Sequence, residues 1–458
     1  MANDRSTSPA TPESAPPQGE GYRWQTWGHR HASEPTQVFA PRNAAEVQHL
    51  VAEAAAAGSQ LKVVGASRSS SAIAQPTDRM LSLANLVGAT EVNATAGTVT
   101  FWAGTTVQHA NKILASYGLA FENLGRLGQQ TLAGAVSTGT HGTGLGYGIF
   151  STQVLSLQLV TSTGELIECS ETHNEEIFRA ALVGLGALGV IVSLTFRVVP
   201  MFRVHAVERG HQLKTIVHSF AERSAGADHY EFAWYPGSHT VRTRRLTRLP
   251  LLTEGYMPPS ARISQARRYG RDYALSNGLF EAASLVGSKW PAAQATVNKV
   301  ANFARTNRRY ADLAPAVFVV DRRVQQNTME YAFDLTEFES VMGDVQRALE
   351  KTQVSPSFPL VVTTSAADDL PLSPAFGRPT VYISAREYWR NDAAHFFDTL
   401  EEVFTAHGGR PHWGQEHSLT AADLARLYPG FSSFAELREE MDPEGIFLNP
   451  YLRRVLMR

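Results

Sequence analysis

Between Asn123 and Gly144 the chain reads Asn-Leu-Gly-Arg-Leu-Gly-Gln-Gln-Thr-Leu-Ala-Gly-Ala-Val-Ser-Thr-Gly-Thr-His-Gly-Thr-Gly, and nearly every side chain is small or hydroxylic. A run with so little bulk buries too little surface to offset its own ordering entropy. It is either a flexible loop or it lies against something. Leu132, Ala133 and Val136 argue for partial burial, and a large, flat, polar ligand accounts for both features. A second run of the same kind, Gly65-Ala66-Ser67-Arg68-Ser69-Ser70-Ser71, follows directly on the apolar Leu61-Lys62-Val63-Val64. Small side chains let backbone N–H groups approach a ligand closely, consecutive N–H groups make an anion-binding nest, and serine hydroxyls add donors. A pyrophosphate suits such a loop; an ordinary solvated Ser-rich turn reads the same way.

The elements around these runs alternate. Asn43 and Glu46 form a capping box before Val47, Leu50, Val51 and Ala54, which recur at helical spacing up to Gly58. Strands are predicted over Leu61–Val64, Met80–Leu83, Thr98–Trp102 and Ser193–Val199. A hairpin is expected from Val154–Thr161 and Leu166–Cys169. Residues 201 to about 405 mix strands (His229–Trp234, Val317–Val320, Leu360–Thr364, Thr380–Ser384) with helices (Phe338–Lys351, Ala393–His407). A further helix is predicted over Phe434–Met441. This is an α+β organisation: a first domain over 23–205, an α+β second domain over 206–405, and a closing segment over 406–458. Residues 1–22, rich in Pro, Ser, Thr, Glu and Gly, read as a disordered tail.

Composition removes several classes of function. With 458 residues and a net charge of −2, the chain has no overall electrostatic case for nucleic acid or an acidic membrane. No apolar run approaches the ~20 residues that span a bilayer. No basic region precedes an apolar stretch at the start, so a cytoplasmic enzyme is the expectation. A single cysteine, Cys169, permits no disulfide within the chain and no cysteine metal cluster, and no metal is expected. Nothing specifies an oligomeric state.

In order along the chain, these pieces resemble the vanillyl-alcohol-oxidase superfamily of flavoproteins. The resemblance is closest to the gulonolactone, D-arabinono-1,4-lactone and alditol oxidase family. It rests on Val64-Gly65-Ala66-Ser67, Gln130-Thr131-Leu132-Ala133-Gly134, Thr138-Gly139-Thr140-His141-Gly142-Thr143-Gly144 and Leu185-Gly186-Ala187-Leu188-Gly189. Met329-Glu330-Tyr331-Ala332, Ala366-Ala367-Asp368-Asp369, Pro411-His412-Trp413-Gly414 and Asp442-Pro443 with Phe447-Leu448-Asn449 complete it. The resemblance implies a PCMH-type FAD-binding domain of two α/β subdomains, an α+β cap over the flavin, and a C-terminal segment returning to it. It implies that Val64, Gly65, Ala66, Ser67, Arg68, Ser69 and Ser70 cradle the pyrophosphate. Gly125, Arg126, Thr131, Gly134, Ala135, Thr138, His141, Gly142, Gly189, Val190, His412 and Asn449 would contact the rest of the FAD.

Departures from the family pattern set the functional expectations. Many relatives carry, where Arg68 stands, a histidine bonded to the flavin; arginine cannot form that bond, so non-covalent FAD is expected, with Arg68 pairing a phosphate or a carboxylate. A family Glu-x-Arg pair is Val361 and Thr363 here, and a family lysine is Gln415. The substrate pocket is therefore expected at Val361, Thr363, Arg386 and Gln415, and to be less polar near Val361. His412, Arg386, Glu416, Glu330 and Gln415 are the candidates for the catalytic work, with Tyr382 and Tyr388 as possible walls. The resemblance places Gly125 where relatives carry a small residue near the flavin's reactive edge, and glycine there would leave room for dioxygen and favour oxidase behaviour.

The expected activity is therefore two-electron oxidation of a CH–OH group on a small molecule other than a simple sugar lactone, with hydride passing to flavin N5. The alternatives are an aldonolactone oxidase or dehydrogenase, or a flavin-binding protein with a structural or non-redox role. Arg242, Arg244, Arg245 and Arg248, with Arg267, Arg268 and Arg271, read as solvated surface or as a mouth for an anionic substrate.

Overall fold

The computed structural model describes residue 16, residues 21–251, isolated helical positions between 281 and 298, residues 307–320 and residues 323–457. Most of the expected N-terminal tail, and Arg267, Arg268 and Arg271, lie outside the described residues. Two cores organise the rest. A parallel three-stranded sheet runs in the order Gln37–Phe39, Arg79–Ser82, Leu61–Val64. An antiparallel five-stranded sheet runs Leu166–Ser170, Val154–Val160, Val190–Arg197, Thr98–Trp102, Ala89–Asn93. Both feed the first core, with Leu61 and Leu81 from one sheet and Phe101, Leu157 and Leu194 from the other.

Local chemistry sets the helices that cover them. Asn43 caps Ala44–Ala56 by accepting the Glu46 N–H at 2.9 Å, while Glu46 reaches back to the Arg42 N–H at 2.8 Å. Thr131 caps the short helix Leu132–Ser137 by accepting the Gly134 N–H at 3.2 Å.

The second core lies under an antiparallel eight-stranded sheet. Its order is Arg308–Leu313, Arg203–Gln212, Thr240–Leu249, His229–Trp234, Leu360–Ser365, Thr380–Tyr388, Gln326–Asp334, Arg410–Pro411. Helices Leu213–Ala225, Phe338–Thr352 and Ala394–Ala406 cover one face only. Strand alternation decides what each face carries. Phe232 and Trp234, Met329, Tyr331 and Phe333, Leu360 and Val362, and Val381, Ile383 and Ala385 all enter the helix-covered core. Their alternates Glu231, Thr328, Glu330, Val361, Thr363, Tyr382, Ser384 and Arg386 therefore point to the other face.

The C-terminal segment ties the two cores together. Arg410–Pro411 is the last strand of the eight-stranded sheet, whereas Trp413, Phe431, Phe434, Leu448 and Leu452 pack into the first core. The Leu61 N–H donates to the Ile446 carbonyl at 2.8 Å.

Residues 317–320, expected as a strand, instead end a helix, Ala314–Phe318, with a proline in its first turn. Pro315 supplies a preset helical φ, and Val317 and Phe318 are buried. Among the described residues no helix is long and apolar enough to cross a membrane. Cys169 is buried in its strand, and burial pushes its thiol up to about 11.

Candidate functional site

A cleft of about 880 Å³ runs between the three-stranded sheet, the Leu132–Ser137 helix and the Leu182–Gly189 loop. It opens into a second chamber of about 1170 Å³ over the polar face of the eight-stranded sheet. Arg68, Ser69, Gln130 and Thr138 line both, so the two form one continuous space.

The cleft is built for close approach of a polar ligand. Gly65 sits so near Thr131 that a Cβ there would overlap the threonine hydroxyl. Ser67 adopts a left-handed backbone with φ of 51°. That turn is pinned from behind: Trp24 Nε1 donates to Ser67 Oγ at 2.8 Å, and the Trp27 N–H donates to the Ser67 carbonyl at 3.0 Å. Among the described residues, the N–H groups of Gly65, Ala66, Ser67 and Ser69 donate to no protein acceptor. Pinned carbonyls and side chains beside uncommitted N–H groups are what an anion nest requires, so a pyrophosphate fits. Ser70 closes the loop, its N–H donating to the Gly414 carbonyl at 2.8 Å and its hydroxyl lying 2.8 Å from Thr328 Oγ1.

Helical spacing turns Thr131, Gly134 and Thr138, with Gln130, Ala133 and Ser137, toward the cleft. At its end lies Lys62, whose ammonium donates to the Phe447 carbonyl at 3.2 Å. Burial pulls that ammonium down to about 7 against the opposing influence of Asp442.

The chamber is charged. Glu231 faces Arg244 across neighbouring strands, accepting a hydrogen bond from it at 3.1 Å and a second, shorter one from Arg126 of the small-residue run. Burial would raise this carboxyl, yet Arg126 and Arg244 hold it at about 2. Beside it, Glu330 Oε1 lies 2.9 Å from His141 Nε2, while His141 Nδ1 lies 2.9 Å from the Gly142 carbonyl. The His141 ring stacks on Tyr382, centroids 3.5 Å apart. Burial opposes charge on Glu330 as well, but His141, His412 and Arg386 keep it at about 2.

His412 lies on the returning C-terminal segment. Its N–H donates to the Glu330 carbonyl at 2.9 Å, and its Nδ1 accepts the Gly414 N–H at 3.1 Å. Burial lowers its pKa to about 4, so the ring is neutral near pH 7. With Nδ1 accepting, the proton of the neutral ring belongs on Nε2.

Several residues expected at the site take other positions. Val64, Ala135 and Val190 are core residues, and the cleft is lined by Val63, Gly134 and Ile191 beside them. A one-residue step in a strand reverses the face, and Ala135 lies on the far side of its helix. Asn449 does not reach the cleft; it caps Pro450–Leu456 and donates to the carbonyls of Ala72 and Gln75, both at 2.9 Å.

Glu416 does not line the chamber either. Its carboxylate pairs with His31 at 3.0 Å and Arg30 at 3.4 Å. Tyr388 is buried in a small cluster with Val324 and Phe358, away from the cleft. The arginine run divides: Arg245 is exposed, whereas Arg244 and Arg248 are half-buried. Arg244 is in the chamber, Arg248 lies over Tyr147 at 3.9 Å and Phe202 at 4.6 Å, and Arg245 donates to the Gly226 carbonyl at 2.6 Å.

The remaining expected positions line the continuous space: Gly65 to Ser70, Gly125, Arg126, Thr131, Gly134, Thr138, His141, Gly142, Gly189, Glu330, Val361, Thr363, Arg386, His412 and Gln415. Arg68 also lies over the Trp27 ring, 5.1 Å from its centroid. Glu231 and Ser384 were not among the expected site residues, and Arg244 was expected only as part of the arginine run. The usable signal was a lone glutamate among aromatics in His229–Trp234, at the parity opposite to Phe232 and Trp234.

Comparisons with known proteins agree with this geometry. The description "D-arabinono-1,4-lactone oxidase" matches residues 194–455, and an FAD binding domain matches residues 35–170. L-gulono-1,4-lactone dehydrogenase of Mycobacterium tuberculosis is 32% identical over 94% of this chain and 99% of its own length. L-gulonolactone oxidase of Bos taurus is 29% identical over 95% of this chain and 98% of its own. Among solved structures, cholesterol oxidase from B. sterolicum superposes with a TM-score of 0.76 at 15% identity. That match covers 98% of this chain and 100% of the oxidase, a likeness of fold.

Proposed function

The chain belongs to the D-arabinono-1,4-lactone oxidase family, an FAD-dependent oxidoreductase acting on CH–OH donors, and on that footing we propose that it oxidises a hydroxyl-rich small molecule of the sugar series, an aldonolactone or its open-chain acid. The observation that carries the reading is the continuity of the FAD cleft with a chamber whose floor holds Glu231, Glu330, Thr363, Ser384 and His412. The expectation of a less polar substrate rested on Val361. That valine and Leu246 are apolar, but the rest of the floor, including Glu231, Arg244, Thr328, Glu330, Thr363, Ser384 and Arg386, is charged or hydroxylic, and the relatives are named for sugar lactones, which favours the hydroxyl-rich alternative.

Bound FAD supplies the two-electron acceptor for the hydride leaving the substrate carbon. The protein's groups orient the substrate and manage its proton. His412, with its proton on Nε2, acts as a donor, and this argues against His412 as the base. Glu231 accepts from two arginines at its Oε1, whereas Glu330 has a single ion pair, with His141, and is the less heavily committed carboxylate. We assign Glu330 the acceptance of the substrate hydroxyl's hydrogen bond and proton. Gly125 keeps its wall of the chamber low; a Cβ there would stand 2.9 Å from the Thr140 methyl and 3.1 Å from the His141 carbonyl. Dioxygen is our reading for the acceptor.

The test is anaerobic bleaching of the bound flavin by gulono- and arabinono-lactone, followed by admission of air. Bleaching by a lactone and rapid recovery of colour support both parts. Bleaching with slow recovery supports a dehydrogenase instead. A folded, FAD-loaded protein that no CH–OH compound bleaches points to a structural flavin.

A further inference from the structure

The chamber holds one guanidinium that faces Glu330 and Glu231 only through space. Arg386 lies on the Thr380–Tyr388 strand, opposite Thr328 and two residues beyond Ser384, which pairs with Val361, and it lines the chamber. Glu231 is occupied by Arg126 and Arg244, and Glu330 by His141. Among the described residues, Arg386 makes no hydrogen bond or ion pair with any protein group. Four arginines, Arg68, Arg126, Arg244 and Arg386, thus line the chamber with two carboxylates, Glu231 and Glu330. Covering a guanidinium without a partner is costly, and a neutral polyol offers it only weak acceptors. A carboxylate matches its planar fork with two charge-assisted hydrogen bonds.

The geometry points to Arg386 as the anchor for a substrate carboxylate, so that the preferred substrate is an open-chain hydroxy acid of the sugar series and not its neutral lactone. This rests on the CH–OH reading of the same chamber. The carboxylate sits at the Thr328 end of the floor. Val361, paired with Ser384 on the adjoining strand, offers an apolar surface to the carbon chain, and the remaining hydroxyls lie toward Glu330 and His412. Burial, with Arg126 second, lowers the Arg386 pKa to about 10 against the opposing influence of Glu330 and Glu231, and an arriving anion adds to theirs. Arg386 stays charged at neutral pH throughout, so the anchor does not switch off in the working range.

The test uses the FAD-loaded protein and three substrates matched in carbon number: an aldonate such as gluconate, its 1,4-lactone and the neutral alditol. Anaerobic flavin reduction gives kcat/KM for each. A carboxylate that cannot be oxidised, such as glutarate, is titrated against the flavin spectrum in parallel. The expected result is a preference for the aldonate over the lactone, and saturable perturbation of the flavin by glutarate.

Arg386→Met is expected to lower the aldonate-to-lactone ratio of kcat/KM by ~10- to 100-fold, the range of a lost charge-assisted hydrogen bond. Arg386→Lys should restore part of the ratio. A ratio unchanged in Arg386→Met, or a lactone that reduces the flavin while neither aldonate nor glutarate binds, overturns the assignment. An equal fall for all three substrates, with a shifted flavin spectrum in the free protein, assigns Arg386 to the flavin and also overturns it. If no compound bleaches the flavin, the CH–OH reading fails, while the glutarate titration still decides whether Arg386 binds an anion.

Discussion

Arg68 shows how far a single residue constrains the cofactor. It lines both the cleft and the chamber and lies over Trp27, and it carries no nucleophile that could bond to the flavin methyl. The bound FAD is therefore expected to come off with acid: the yellow colour should pass into the supernatant when the protein is precipitated. Colour held in the pellet means that another residue is linked to the flavin.

Glu330 and His412 make a second prediction at this scale. Held at about 2 and about 4, they keep their charge states across the neutral range. The kcat/KM for flavin reduction should then be level, as far as these groups decide it, from roughly pH 5 to 8. It should fall toward pH 4 as His412 gains a proton. Glu330→Gln should lower the rate of flavin reduction on the order of 100-fold with FAD still bound. A limb centred near pH 7 that disappears in a His412 variant returns His412 to the role of base.

Strands and helices, more than individual residues, decide which side chains meet. The Leu61–Val64 strand was legible to the residue, yet Val63 and not Val64 lines the cleft, because strand parity is set by what the sheet packs against. The same shift separates Val190 from Ile191. Strands Arg203–Gln212 and Thr240–Leu249 were not anticipated at all. Their arginines, histidines and glutamate hide the alternation that marks a half-buried strand, since their polar faces meet one another as well as water.

Across these strands Glu208, Arg244 and Glu231 alternate in charge, and Arg126 extends the row to the flavin-side loop. Glu231→Gln should uncouple that loop from the sheet. Its expected cost is ~3–5 kcal/mol, as for one partner removed from a buried ion pair. Thermal or urea unfolding of the loaded protein reads it. A loss under about 1 kcal/mol means the row contributes no more than a surface pair.

Taken whole, the molecule is predicted to be sensitive to acid, and in two stages. His229, His412 and His417 are buried, and burial holds them at about 4, about 4 and about 3. The unfolded chain takes up protons at these residues below about pH 6.5, while the folded chain refuses them until near pH 4. Stability should fall as pH drops through that window, by on the order of 3 kcal/mol per histidine at most, and should not change on this account above it. Glu231 and Glu330, held at about 2, add stability that is present above about pH 4.5 and is lost as pH falls from there toward 2. Urea midpoints measured from pH 7 to 4 test the first stage; a flat series refutes it.

The amino-acid order by itself determined the capped helices, the strands with a clear apolar pattern and the ligand-cradling runs. Caps, strand lengths and the poverty of bulk at Gly65–Ser71 and Asn123–Gly144 act between neighbours in the chain, and the absence of a histidine at 68 is a matter of composition. Only the tertiary structure decided which groups share the chamber. Arg126, Glu231, Arg244, Glu330, Arg386 and His412 come from distant segments, and the sheet's pairing brings most of them to one face. The same packing turns Glu416 toward His31 and makes Asn449 a helix cap, because each carboxylate or amide goes to the donors and acceptors that folding places beside it.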